Sequence, residues 1–148
     1  MAQHLTEHDG KAALRDHVEQ KAMEARLSHG LHIDAEEIIR MLDDRAVVRY
    51  PVGIRFDAGP IEPGEFAWPM PLGDHPAAGF CLFIHPWFED QPEAWPLLIA
   101  YHIPSINYGD IVSHEDAECY GATLVGLSTD EYYRALCELI DSTPEAQA

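Results

Sequence analysis

Positive charge is what this sequence has least of. Beyond residue 50 only Arg55 and Arg134 stand against sixteen Asp and Glu, a net charge of −14, whereas the first fifty residues set seven Lys and Arg against ten acids. A field of that sign repels phosphate backbones, whose binding depends on Lys and Arg displacing counterions, so nucleic acid is excluded as an expected partner. Anionic membrane surfaces are disfavoured on the same ground. Long apolar runs are missing too: no segment approaches the roughly 18 residues that would cross a bilayer. The opening MAQHLTEHDGKAAL has no basic stretch leading into an apolar one, so a secretory signal is not expected,. Cysteine is scarce. Cys81, Cys119 and Cys137 lie far apart, without a CxxC spacing and in odd number, which makes a poor disulfide framework and points to reduced thiols in the cytoplasm,. Also absent are a G-x-S-x-G elbow, a phosphate-cradling glycine loop and a dinucleotide fingerprint, which removes the usual support for those enzyme classes.

What is present suits one domain over residues 1–148, with 1–8 and 142–148 as frayed ends. At 148 residues and 47% hydrophobic, the chain can bury roughly two thirds of its unfolded surface,. Thr6 with Asp9 opens a helix reaching Leu27, whose stripe of Leu14, Val18, Ala22 and Ala25 is thin enough to suit surface packing or a homodimer,. Asp34, Glu37 and an Ile33–Ile38 staple open a second helix, with Ile38, Ile39, Met41 and Leu42 on its buried face. Ala46–Tyr50 reads as a strand, and Pro51 confines Val52–Phe56 to an edge or a bend. Ten of the eleven prolines and all three tryptophans then fall between Pro51 and Pro104, a pattern of short strands joined by rigid turns,. Phe80–Ile84 and Leu97–Tyr101, each stopped by a histidine and a proline, read as the two strands of a core antiparallel hairpin. Ser113 with Asp116, and Ser128 or Thr129, cap two final helices. The predicted architecture is α+β: N-terminal helices, a central antiparallel sheet between residues 45 and 103 with a core hairpin, and two C-terminal helices.

Two constellations carry the candidate chemistry. On a helix, His114-Glu115-Asp116-Ala117-Glu118 puts His114 and Glu118 on one face with Glu115 beside them. The segment resembles the start of an HExxH zinc helix but has Glu118 where the second histidine would stand,. A metal there needs a further ligand, for which His102 or His75 is the donor, and Glu115 would activate the bound water as general base. The same residues also make an ordinary helix start: Ser113 caps it, and Glu115 and Asp116 complement its dipole. The second constellation is Trp87, Phe88, Glu89, Asp90, Glu93 and Trp95, aromatic faces among carboxylates that suit an ammonium or guanidinium group.

These features support a small acidic cytoplasmic binding or accessory protein that recognises a cationic small molecule or a basic protein surface. The competing reading is a hydrolase dependent on a divalent metal such as zinc or manganese at the HEDAE segment; otherwise no cofactor is expected.

Overall fold

Four of the helices begin where a side chain takes up the first free N–H groups. The computed structural model describes residues 6–147. Helix α1 (Glu7–His29) opens on a reciprocal box between Thr6 and Asp9, and α2 (Ala35–Leu42) on Asp34, which accepts from the Glu37 N–H at 2.9 Å,. Helix α4 (His114–Val125) and helix α5 (Thr129–Asp141) open on Ser113–Asp116 and Ser128–Glu131 boxes. The first five residues of the expected frayed N-terminal end lie outside the described residues. At the other end Thr143 is buried, and a short helix α6 (Pro144–Gln147) follows it.

Strands β1 (Val52–Phe56), β2 (Ala67–Pro71) and β3 (Phe80–Ile84) form one sheet in the order β1-β3-β2. It is mixed rather than antiparallel: β1 pairs parallel with β3, Val52 facing Phe80, while β2 pairs antiparallel, Ala67 facing Ile84. Both Val52–Phe56 and the proline-bearing β2 are edge strands, where a missing N–H interrupts no interior ladder.

The architecture is α+β, but the core hairpin is not formed. Leu97–Tyr101 belongs to helix α3 (Trp95–Tyr108), and β3 pairs with β1 and β2 instead. The reason is physical. A helix covered on nearly every side has no polar stripe, so WPLLIAYHIPSINY shows no helical period, and its short apolar run fits either state. Pro96 sits in the first turn, where its lost N–H needs no partner, and Pro104 is carried inside the helix,. Ala46–Tyr50 is likewise not a strand. Its backbone partner is a side chain: Asn107 accepts from the Arg49 N–H at 2.8 Å and donates to the Val47 carbonyl at 2.8 Å.

The helices pack around α3, which touches α2, α4, α5 and β2. Helix α1 lies along α4, and Val18, Ala22 and Ala25 are buried within the chain, so the small-residue stripe is already covered. Arg15 fixes that pairing through Nε, 2.6 Å from the buried Asp116 carboxylate. In α2, Ile38, Met41 and Leu42 are buried but Ile39 is exposed, on the far side of the helix from the core. Where α5 crosses α4, a Cβ on Gly121 would overlap the Tyr132 ring. The glycine lets Tyr132 pass close to the α4 backbone and donate its hydroxyl to the Leu97 carbonyl of α3.

Two contacts here give measurable consequences. An ordinary helical Gly→Ala change gains about 1 kcal/mol, whereas Gly121→Ala should lose about 1–3 kcal/mol from overpacking, read as a lower urea midpoint. The second contact is His29, whose Nδ1 lies 2.7 Å from Glu37 and whose Nε2 lies 2.8 Å from Asp44, clamping the end of α1 to α2. Burial pushes this imidazole's pKa down, but hydrogen bonds to the two carboxylates outweigh it and raise the pKa above the ordinary 6.5. The clamp's contribution is therefore whole below pH 6.5 and lost as pH rises through the raised folded value,. Glu37 and Asp44 are held below their ordinary 4.5 and 3.8, first of all by His29, and lose their share only as pH falls through those lowered values,. Tm should fall as pH rises above 6.5 in the wild type,, and the profile should be flatter in His29→Gln; equal slopes would remove the clamp from the account.

Candidate functional site

A cleft of about 900 Å³ opens between β2, one face of α3 and the start of α4. Its volume is in the range of small-molecule sites. The α3 side carries Tyr101, Ser105 and Tyr108, at helical positions i, i+4 and i+7 and so on one face, with His102 beside them,. From the sheet side come Phe66, Trp68 and Phe80, with the Tyr50 ring tilted against Phe80 at 6.2 Å between centres. Phe66 stands edge-on to both Tyr101 and His102, at 5.6 and 5.4 Å between ring centres. A second hollow beside His85 and Glu145 holds about 290 Å³, too small for the same class of ligand.

The cleft's charge is of one sign. Glu65, Asp110 and Glu115 line it, all three exposed, and no Lys or Arg is among its lining residues. The Glu65 and Asp110 side chains make no hydrogen bond or ion pair among the described residues. Two cations come near: Arg15 approaches Glu115 at 4.0 Å, and Arg49 lies over the Tyr108 ring, 4.6 Å from its centre. The N-terminus of α4 also opens here, but Ser113 and Asp116 already occupy its first free groups. The dipole's attraction for an anion is thus largely spent on its own cap.

Tyr101 and His114 tie α3 to α4 across the cleft wall, with Tyr101 Oη 2.7 Å from His114 Nδ1. Burial, then the Glu118 and Glu65 charges, push the Tyr101 phenol up to about 12, so it keeps its proton at pH 7, and the imidazole tautomer decides which of the two groups donates. Neither cleft serine is set up as a nucleophile. Ser105 Oγ donates to the His102 carbonyl, and Ser113 Oγ accepts from the Asp116 N–H as a cap.

His102 is the unusual member. Its Nε2 is covered and has no hydrogen-bond partner among the described residues. Burial among the rings of Phe66 and Tyr101 lowers its pKa from 6.5 to about 4, so the imidazole is neutral at pH 7.

The HEDAE residues are distributed differently from a metal centre. His114 and Glu115 are exposed at the first turn of α4, and Glu118 is partly buried, its pKa raised by burial and by Glu115. His75 caps a short turn, Pro76–Ala78, by accepting from the Ala77 N–H at 3.0 Å. Among the described residues, no group of three or more His, Cys, Asp or Glu side chains is placed to hold a metal ion.

The connector between β3 and α3 turns its aromatic residues to structural use. Phe88 is fully buried, and Trp95 packs 5.4 Å from Phe56 while donating to the Phe88 carbonyl at 2.8 Å. Trp87 is exposed and donates to Ser142 at 3.2 Å, and Glu89, Asp90 and Glu93 stand in water.

No family model, curated protein or solved structure matches the chain.

Sequence reasoning placed the aromatic and acidic recognition surface on residues 87–95 and missed the cleft, which gathers residues from 50 to 140. Its one legible trace is the coincidence of excess acid with excess aromatic residues after residue 50. His102, named there as a metal donor, does lie in the cleft wall, together with His114.

The depressed His102 pKa acts in the opposite sense to His29. Its contribution is present above the ordinary 6.5 and is lost as pH falls towards about 4, because the unfolded chain takes up a proton that the folded one refuses,. In His102→Leu the fall of Tm across that window should be shallower than in the wild type; an unchanged acid limb would mean that this imidazole is not the group responsible.

Proposed function

We propose that the protein binds a cationic small molecule with an apolar body, such as an arylalkylamine, in the cleft between β2, α3 and α4. The observation that carries this reading is the lining: aromatic side chains and three carboxylates, without a Lys or Arg, around about 900 Å³. An ammonium or guanidinium group gains roughly 0.5–2 kcal/mol over such rings, and unpaired Glu65 and Asp110 add attraction that salt will screen. The chain itself supplies a precedent, since Arg49 already stacks on Tyr108 at the edge of the same wall. A small molecule fits better than a flat basic surface because the site is concave and its aromatic faces are recessed between two elements. The metal-dependent hydrolase has less support: Tyr101 engages His114, Arg15 approaches Glu115, and among the described residues no group of three or more ligands is placed to hold a metal. We place the protein in the cytoplasm, a reading supported by its three free cysteines,.

Titration calorimetry with 2-phenylethylamine and 3-phenylpropionate, of similar body and opposite charge, tests the reading. The amine should bind and the carboxylate should not, and Glu65→Gln or Asp110→Asn should each weaken the amine about two- to fivefold at low salt. Equal binding of both compounds, or of neither, would remove the cleft from consideration as a cation site.

A further inference from the structure

We propose that His102 is the hydrogen-bond acceptor for the ligand's ammonium N–H, so that the cleft selects primary and secondary amines over quaternary ammonium ions. The inference rests on the cleft reading above and gives that site its substrate class.

Three observations lead to it. First, His102 lies in the cleft wall, and its covered Nε2 has no partner among the described residues. Buried polar atoms are nearly always paired, and an unpaired one is costly beside an apolar side chain of similar volume, so its presence needs a reason. Second, the ring is neutral at pH 7, because burial holds its pKa near about 4. A neutral imidazole carries one N–H and one bare nitrogen; it can therefore accept from a cation without repelling it. Third, the rest of the cleft does not distinguish an N–H from an N–methyl group. The aromatic faces attract either kind of cation. The carboxylates of Glu65, Asp110 and Glu115 are exposed, so water competes for any hydrogen bond to them and they discriminate weakly between N–H and N–methyl,.

Among the described residues, only His102 has a covered side-chain nitrogen or oxygen without a partner. Phe66 and Tyr101 stand edge-on to the ring at 5.4 and 5.2 Å. Histidine χ2 is a broad, roughly two-fold torsion, so Nε2 can turn towards an arriving N–H without displacement of α3.

The experiment compares 2-phenylethylamine with trimethyl(2-phenylethyl)ammonium, which keeps the charge and the body but has no N–H. By calorimetry the wild type should bind the primary amine about tenfold more tightly. His102→Leu should lose that preference, and His102→Gln, which keeps an acceptor, should retain part of it. Equal affinities in the wild type, or a preference that survives in His102→Leu, would overturn the role of His102 while leaving the cleft reading intact. Failure of the wild type to bind either probe would overturn both. Should His102→Leu not fold, the wild-type comparison and His102→Gln still decide.

Discussion

Helix α3 has to be buried, and the rest of the chain is arranged to do it. Leu98, Ile99, Ala100, Ile103 and Ile106 are almost wholly covered, by α2 and α4 and by the approach of α5 and β2. Each fully buried large apolar side chain contributes about 1.5–3 kcal/mol, and this helix supplies more of the buried apolar side chains than any other element. Its backbone is less secure than its side chains. Pro104 removes a hydrogen bond that would run to the Ala100 carbonyl,. Packing on several sides at once compensates, and the Tyr132 hydroxyl on the Leu97 carbonyl holds its first turns against α5.

The same constraint produces the cleft. A helix can be surrounded by other elements only where they reach it, and β2 and the start of α4 stop short of the face carrying Tyr101, Ser105 and Tyr108. That face would be an exposed apolar stripe in water. Instead it carries rings with polar tips, which tolerate one wet side, and Phe66, Trp68 and Phe80 complete a wall around it. The site is thus the uncovered remainder of the core rather than a loop added to a finished fold, which is why its aromatic faces are held by packing.

How much of this was legible follows from what each signal measures. Capping residues act over three or four positions, so Thr6, Asp34, Ser113 and Ser128 announced their helices correctly from local sequence. Periodicity reports a boundary between core and water, and Leu97–Tyr101 has almost none, so nothing local separated helix from strand there. The proline at 104 then argued for the wrong side, because its cost inside a helix is real but is outweighed by burial. Pairing of β3 with β1 in parallel depends on contacts 28 residues apart, Val52 with Phe80, and no turn motif encodes it. The cleft was out of reach for the same reason: Tyr50, Glu65, Phe80, Tyr101 and Asp110 share no motif, only a place.

The acidic excess itself divides once the partners are known. Asp9, Asp34, Asp116 and Glu131 are helix caps, and Glu37, Asp44 and Glu145 lie against His29 or His85 at hydrogen-bond distance. Those seven carboxylates have structural employment, and their charge is partly offset where it stands. Glu65 and Asp110 have neither a hydrogen bond nor an ion pair among the described residues, and both line the cleft. Placing like charges on one concavity costs stability through repulsion, and water and salt relieve only part of that cost. Beside an aromatic wall, and with Arg49 held on its outer edge, the same charges raise the local concentration of cations,. The charge that would draw a cation into the cleft is therefore not the total of −17 but that of the carboxylates lining it without a partner.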